Sequence, residues 1–303
     1  MRLIMCSLKN GNIHIAVSPL SWANEVIEEF GRDVTADICL TGAAAAGYDG
    51  VEMSRLFPRE AAALSAMLAK HGLRHASGWH SGLLSERSVT DELAAVAPFA
   101  HLLKETGAKV LIYGECGHMP ENALDIGMRA RLRLNPTALQ AYGDKLTAFA
   151  DALDSVYGLS LAYHHHLMMV VETLEEVRAL MSVTGPSVGL LVDTGHAFAA
   201  GFDYRILLSE FTRRINHIHL KDVRGEILRQ VRDNDLSFNQ AVRKGLFTVP
   251  GDGIIDFSPL VHFVNETQYQ GWIVVEAEQD PSFEPPEITV SRARQFILNT
   301  FSL

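Results

Sequence analysis

The chain has 303 residues, 48% of them hydrophobic, with 26 Lys and Arg against 36 Asp and Glu, a formal net charge of −10, and 13 histidines outside that sum. This composition excludes a disordered chain, and the acidic balance argues against nucleic acid or an anionic membrane surface as partner, since both need a basic face. No apolar run approaches the roughly 20 residues that span a bilayer. The start, MRLIMCSLKNG, is too short and polar for a secretory signal, and Cys6, Cys39 and Cys116 form no pairing pattern, so a reduced, cytoplasmic setting is expected.

Taken in chain order, short apolar runs alternate with stretches of helical period. The first run, 14–18 (HIAVS), leads into Pro19-Leu20-Ser21-Trp22 rather than a glycine-rich phosphate turn, which speaks against an open doubly wound sheet. The second, 50–54 (GVEMS), carries Glu52. A helix is predicted over 60–71, stopped by Gly72. The third run, 74–80 (RHASGWH), ends in Trp79-His80, and the fourth, 109–115 (KVLIYGE), ends in Glu115. Apolar spacing of three and four predicts a helix over 137–157. The fifth run, 159–164 (LSLAYH), opens the triplet His164-His165-His166. Thr173 with Glu176 three residues on is a capping-box pattern for a helix over 173–181. The sixth run, 188–193 (VGLLVD), ends in Asp193-Thr194-Gly195-His196. The seventh, 215–219 (INHIH), continues into Lys221-Asp222, and the eighth, 272–276 (WIVVE), reaches Glu276 and Glu278. Eight such units without a linker predict a single domain over 1–303, a parallel (β/α)8 TIM barrel. Its chemistry is expected where the strands end.

Seven histidines fall at those ends: His80, His164, His165, His166, His196, His217 and His219. Imidazoles mixed with carboxylates, and no thiolate, suit Mn, Co, Fe or Zn, whereas all-oxygen sites favour Mg or Ca. Alternation places His217 and His219 on one face, with His219 nearer the strand end and preferred as ligand and His217 a layer deeper. Glu276 and Glu278 share a face in the same way, Glu278 further out. Plainer roles stay open: Asp193 as a helix cap, the His triplet as a solvated loop, Glu52 and Glu115 as ion-paired scaffold. Glu276 follows an apolar run and needs a partner if buried.

The segments DTGH (193–196) and HIHLKD (217–222) resemble the xylose isomerase-like barrel superfamily. AGYDGVE (46–52), WHS (79–81), AYHHH (162–166), FTVPGDG (247–253) and GWIVVEAEQDP (271–281) extend that likeness over nearly the whole chain to the inosose dehydratases of inositol catabolism. The resemblance implies dehydration of 2-keto-myo-inositol, a small keto-polyol, with Mn or Co; Zn, Fe and Mg are alternatives. It places the metal ligands at His164, Asp193, His219 and Glu276. Superfamily relatives usually present Glu at the fifth strand. Either His164 replaces that ligand, or the metal uses His166 or water there.

Elimination beside a ketone needs a polarised carbonyl, a base for the α-proton and an acid for the leaving hydroxyl. His80, His196, Lys221 and Glu115 are the candidates for proton transfer. Trp22 and Trp79 are candidates for an apolar wall against the substrate ring, and His166 and Glu52 for polar contacts to it. Asp252 and Asp256 either bind hydroxyls or shape turns, and the 247–253 loop either covers the site or only turns the chain. A sugar isomerase or epimerase on the same barrel, or a non-catalytic binding barrel, is the competing reading. The charge disfavours a nuclease, and assembly into a homo-oligomer is left open.

Overall fold

The computed structural model describes residues 13–301; the N-terminal segment considered above, with Cys6, lies outside them. The strands are β1 (Ile13–Val17), β2 (Gly50–Val51), β3 (Arg74–His75), β4 (Ser77–Gly82), β5 (Val110–Glu115), β6 (Ser160–His164), β7 (Val188–Asp193), β8 (Ile215–Leu220), β9 (Asp222–Val223), β10 (Phe247–Thr248) and β11 (Gly271–Val275). Nine of them form one sheet in the order β3-β2-β1-β11-β8-β7-β6-β5-β4. Every pairing in it is parallel. Only Ala76 separates β3 from β4, so the order closes through that residue into a barrel of eight staves.

The helices are α1 (Ala36–Ala45), α2 (Ala61–Lys70), α3 (Val89–Glu105), α4 (Pro136–Tyr157), α5 (Leu174–Val183), α6 (Thr194–Ala199), α7 (Arg205–Glu210), α8 (Gly225–Asp233), α9 (Phe238–Arg243), α10 (Ser258–Thr267) and α11 (Pro286–Phe301). Their ends follow local chemistry. Glu60 caps α2 through its own carboxylate, and the Thr173–Glu176 box caps α5 with both halves formed. Helix α4 starts on the Asn135 side chain and stops where Gly158 turns left-handed at φ +67°. No described helix is long and apolar enough to cross a membrane.

The main core is the shell between staves and helices, built from residues such as Leu40, Leu64, Leu103, Phe149, Leu180, Leu260 and Phe301. The barrel interior holds smaller sets, Ala16, Ala76 and Val274 on one side and Val110, Ile112, Ala162 and Leu191 on another. Ala16, Ala76 and Ala162 among these positions leave room inside the barrel for polar groups at the upper rim.

Two departures from the predicted strands matter for the site. The second run yields only Gly50–Val51, because the Met53 N–H leaves the ladder with β1 and donates to the Ser77 carbonyl at 2.9 Å. The third run breaks at Ala76. His75 points outward, its Nδ1 2.7 Å from Thr106 Oγ1, yet Ser77 points inward and donates to Glu52 at 2.7 Å. Strict alternation would put both on one face, so the break inverts the facing of everything after it.

The 247–253 segment is a braced turn. β10 pairs antiparallel with β9, and the buried Asp222 carboxylate accepts N–H bonds from Gly251, Gly253 and Ile255, each at 3.0 Å. Gly251 sits at φ +94°, which a side chain would strain. Asp252 pairs with Arg292, and Asp256 caps the Ser258 N–H, so both shape loops.

Candidate metal centre

Four strand ends bring His164, Asp193, His219 and Glu276 together, one donor atom from each lying within 4.8 Å of the others. All four are buried. Hydrogen bonding fixes which atom each offers. His164 Nδ1 is 2.6 Å from the His165 carbonyl, so that nitrogen carries the proton and Nε2 carries the lone pair, 3.6 Å from Asp193 Oδ2. Asp193 Oδ1 accepts from the His196 N–H at 2.7 Å and caps α6. Among the described residues its Oδ2 has no hydrogen-bond partner. The capping role and a ligand role therefore use different oxygens of one carboxylate.

His219 is held from behind. Its Nε2 lies 3.0 Å from Glu52 Oε1, which also receives Ser77 Oγ at 2.7 Å and His217 Nε2 at 3.3 Å. A carboxylate only accepts, so Nε2 is protonated and Nδ1 faces the centre. His219 Nδ1 and Glu276 Oε2 approach to 2.6 Å without hydrogen-bond angles, and both stand unsatisfied together with Asp193 Oδ2. Buried polar atoms without partners are costly, and three around one point fit a cation that accepts all of them. Two imidazoles and two carboxylates are a donor set for Mn, Fe, Co or Zn. Glu52 behind His219 completes the carboxylate–histidine arrangement that orients a metal ligand.

The electrostatics agree. Four buried carboxylates, Glu52, Asp193, Glu276 and Glu278, face one buried ammonium, Lys221. Burial opposes charge on His219, but Glu52 and Glu276 outweigh it and raise its pKa to about 10. A proton and a metal ion compete for the same Nδ1 lone pair. Burial would raise Asp193, yet the Lys221 charge and then His164 hold it well below the usual carboxylate range. Lys221 is fully buried, and Glu276, Glu278 and Asp193 overcome that burial to raise its pKa further.

Above the four donors lies a cavity of about 480 Å³, within the range of small-molecule sites. His164, His219, Glu276, Glu278, Glu52, His166 and Trp79 line its inner part. Ile112, Met53, Met119, Leu124, Met169 and Phe238 supply apolar wall, and Asn24, Glu25, Ser54, Arg59 and Ser81 the polar rim. Asn24, Glu25 and Arg59 carry no motif in the sequence; their one signal is that they follow the first two strands. Phe238 comes from α9, far along the chain, with no local motif.

Five other expected residues sit differently. Trp22 is not part of the wall: it is fully buried, packs over Gly42 and donates from Nε1 to Glu287 at 3.4 Å. His80 faces outward, its Nε2 2.6 Å from Glu92 and its ring stacked on Phe149. Glu115 also faces outward and accepts from Ser85 Oγ, Tyr113 OH and the Gly117 N–H, so it is buried scaffold. Neither lines the cavity. His196 and Lys221 lie directly behind it, Lys221 Nζ 3.0 Å from His196 Nε2, 3.0 Å from Glu278 Oε2 and 3.3 Å from Glu276 Oε1. Lys221 braces the carboxylates and the His196 ring stands against Lys221, neither of them lining the cavity.

Residues 40–299 match the family model described as a xylose isomerase-like TIM barrel. The chain is 44% identical over 275 residues to the rhizopine catabolism protein MocC of Rhizobium meliloti, covering 91% of this chain and 84% of that protein. It is 36% identical over 299 residues to an inosose dehydratase of Geobacillus thermodenitrificans, covering 97% of this chain and 99% of the relative. The chain belongs to the inosose dehydratase branch of the xylose isomerase-like TIM barrel family. Solved structures repeat the fold of this branch at low identity. The IolI protein with a bound zinc atom superposes with TM-score 0.70 at 15% identity, over 95% of this chain and 98% of that one. A probable 3-DHS dehydratase, AsbF from Bacillus anthracis, superposes with TM-score 0.67 at 13% identity, over 94% and 98%.

Proposed function

We propose that this inosose dehydratase family member is a metal-dependent hydro-lyase that removes water beside the ketone of 2-keto-myo-inositol in inositol catabolism. The observation that carries the metal is the convergence of unsatisfied His219 Nδ1, Asp193 Oδ2 and Glu276 Oε2 with His164 Nε2 at the cavity floor. The ion is Mn or Co, in keeping with a nitrogen and oxygen donor set; the similarly folded IolI protein carries zinc. When bound, the ion supplies a Lewis acid at the ketone oxygen.

The remaining steps belong to the chain. Glu52 fixes the His219 ring through Nε2, and Asp193 is fixed by capping α6. Trp79 and the methionines around it exclude water from one face of the substrate ring, and Ser81, Asn24 and Arg59 meet its hydroxyls at the rim. His166 takes the place that His80 and Glu115 vacate. Its Nδ1 lies 2.7 Å from the Leu167 carbonyl, so Nδ1 is protonated and Nε2 is free to accept the α-proton. The proton held at Nε2 then passes to the departing β-hydroxyl, which leaves as water.

The experiment is turnover of 2-keto-myo-inositol by metal-replete protein, read by product mass. A product lighter by one water supports the proposal. Unchanged mass with a rearranged product identifies an isomerase or epimerase instead, and no reaction rejects this substrate.

A further inference from the structure

We propose that the Lys221 ammonium is a built-in second cation, filling a donor set made by His166, His196 and Glu278 and thereby holding the protein to a single divalent ion. The proposal rests on the reading of His164, Asp193, His219 and Glu276 as the metal ligands.

Two donor sets lie side by side in the structure. One ring nitrogen each from His166 and His196 and one Glu278 oxygen lie within 4.8 Å of one another, the same span as the four-donor set beside them. Two imidazoles and a carboxylate suit the same divalent ions. His166 Nδ1 donates to the Leu167 carbonyl, which leaves the lone pair at its Nε2. On His196 the Leu167 N–H at 3.3 Å from Nδ1 and the Lys221 ammonium at 3.0 Å from Nε2 compete for the ring's one lone pair, and the shorter, charged contact places it at Nε2.

Lys221 Nζ sits in this set, 3.0 Å from His196 Nε2 and 3.0 Å from Glu278 Oε2. It also reaches the four-donor set, 3.3 Å from Glu276 Oε1 and 3.9 Å from Asp193 Oδ2. The Phe247 ring lies 4.6 Å from Nζ and adds a cation–π contact. The fold makes room for this side chain: a Cβ at Gly195 would fall 2.6 Å from Lys221 Cγ. The glycine of the DTGH segment is thus the space through which the lysine stem passes. An ammonium and a dication at one point repel strongly where water is excluded, so the two occupants are mutually exclusive. The choice has a consequence for chemistry. The hydrogen bonds of Lys221 go to His196 and Glu278, leaving His166 Nε2 free, whereas a divalent ion in the set would take that lone pair.

The test is metal content of the full chain after equilibration with excess Mn and removal of free ion. Wild type is expected to hold about one ion per chain, Lys221→Met about two, and Lys221→Met with Glu278→Gln about one again. Lys221→Arg, which keeps the charge, is expected to stay at the wild-type value. Circular dichroism checks folding, and Lys221→Gln carries the same test if Lys221→Met does not fold. Two ions in wild type, or no gain in the neutral variants, overturns the inference. No ion at all in wild type rejects the four-ligand centre instead, so the two failures are distinguishable.

Discussion

At His166 a single hydrogen bond to the Leu167 carbonyl decides which nitrogen faces the substrate, and that makes the residue the sharpest test of the proton transfer. His166→Ala is expected to lower kcat by about 10²–10⁴-fold while metal content stays at the wild-type level. Loss of metal instead would make it a ligand, and unchanged kcat would remove it from the reaction. His80 gives the opposite expectation. Burial favours the neutral form of its partner Glu92, but hydrogen bonds from His80 and then Arg87 bring that carboxyl down to about 2 from 4.5. A depressed carboxyl stabilises the fold above its unfolded value and loses that contribution as pH falls towards the folded one. Glu92→Gln is therefore expected to keep turnover and to lose about 2 kcal/mol in urea unfolding at neutral pH. The gap to wild type should narrow as pH falls from 4.5 towards 2. A gap independent of pH would contradict the assignment. The sequence showed His80 and Glu115 at strand ends but not their facing. In β5 both faces are apolar, with Ile112 inside and Tyr113 outside, so composition does not say which parity points inward.

At the scale of elements, the short pair β9 and β10 depends on one carboxylate. Asp222 accepts the N–H groups of Gly251, Gly253 and Ile255, and no other described side chain takes its place. Asp222→Ala leaves those groups unpaired and is expected to cost roughly 2–4 kcal/mol. Limited proteolysis should then cut faster within 247–256; unchanged cleavage would mean the turn stands without its brace. The elements themselves were largely legible. Thr173 and Glu176 announced α5, Gly72 marked the end of α2, apolar spacing over 137–157 gave α4, and the eight runs map onto eight staves. The break at Ala76 was not legible, because it depends on β3 pairing with β2 while β4 pairs with β5. That long-range arrangement turns Trp79 into the cavity and His80 out of it. Seventh-strand facing was legible because His217 and His219 alternate with Asn216 and Ile218, and His217 does lie beneath its neighbour against Glu52.

Over the whole molecule, an aliphatic barrel interior and a bulky shell outside it concentrate buried charge at one end. Ala16, Ala76, Val274, Ala162 and Leu191 fill the lower interior, and the carboxylates and imidazoles crowd above them. The net charge of −10 is therefore not only surface. Part of it is a buried excess of carboxylate over ammonium, four against one, that a dication offsets, and the fold sets that excess at the floor of the cavity. Whether the ion sits among His164, Asp193, His219 and Glu276 is decided by anomalous diffraction from crystals grown with Mn. One strong peak is expected roughly 2.0–2.3 Å from His164 Nε2, Asp193 Oδ2, His219 Nδ1 and Glu276 Oε2. No peak there, or a peak held by other residues with these four unliganded, would contradict that placement.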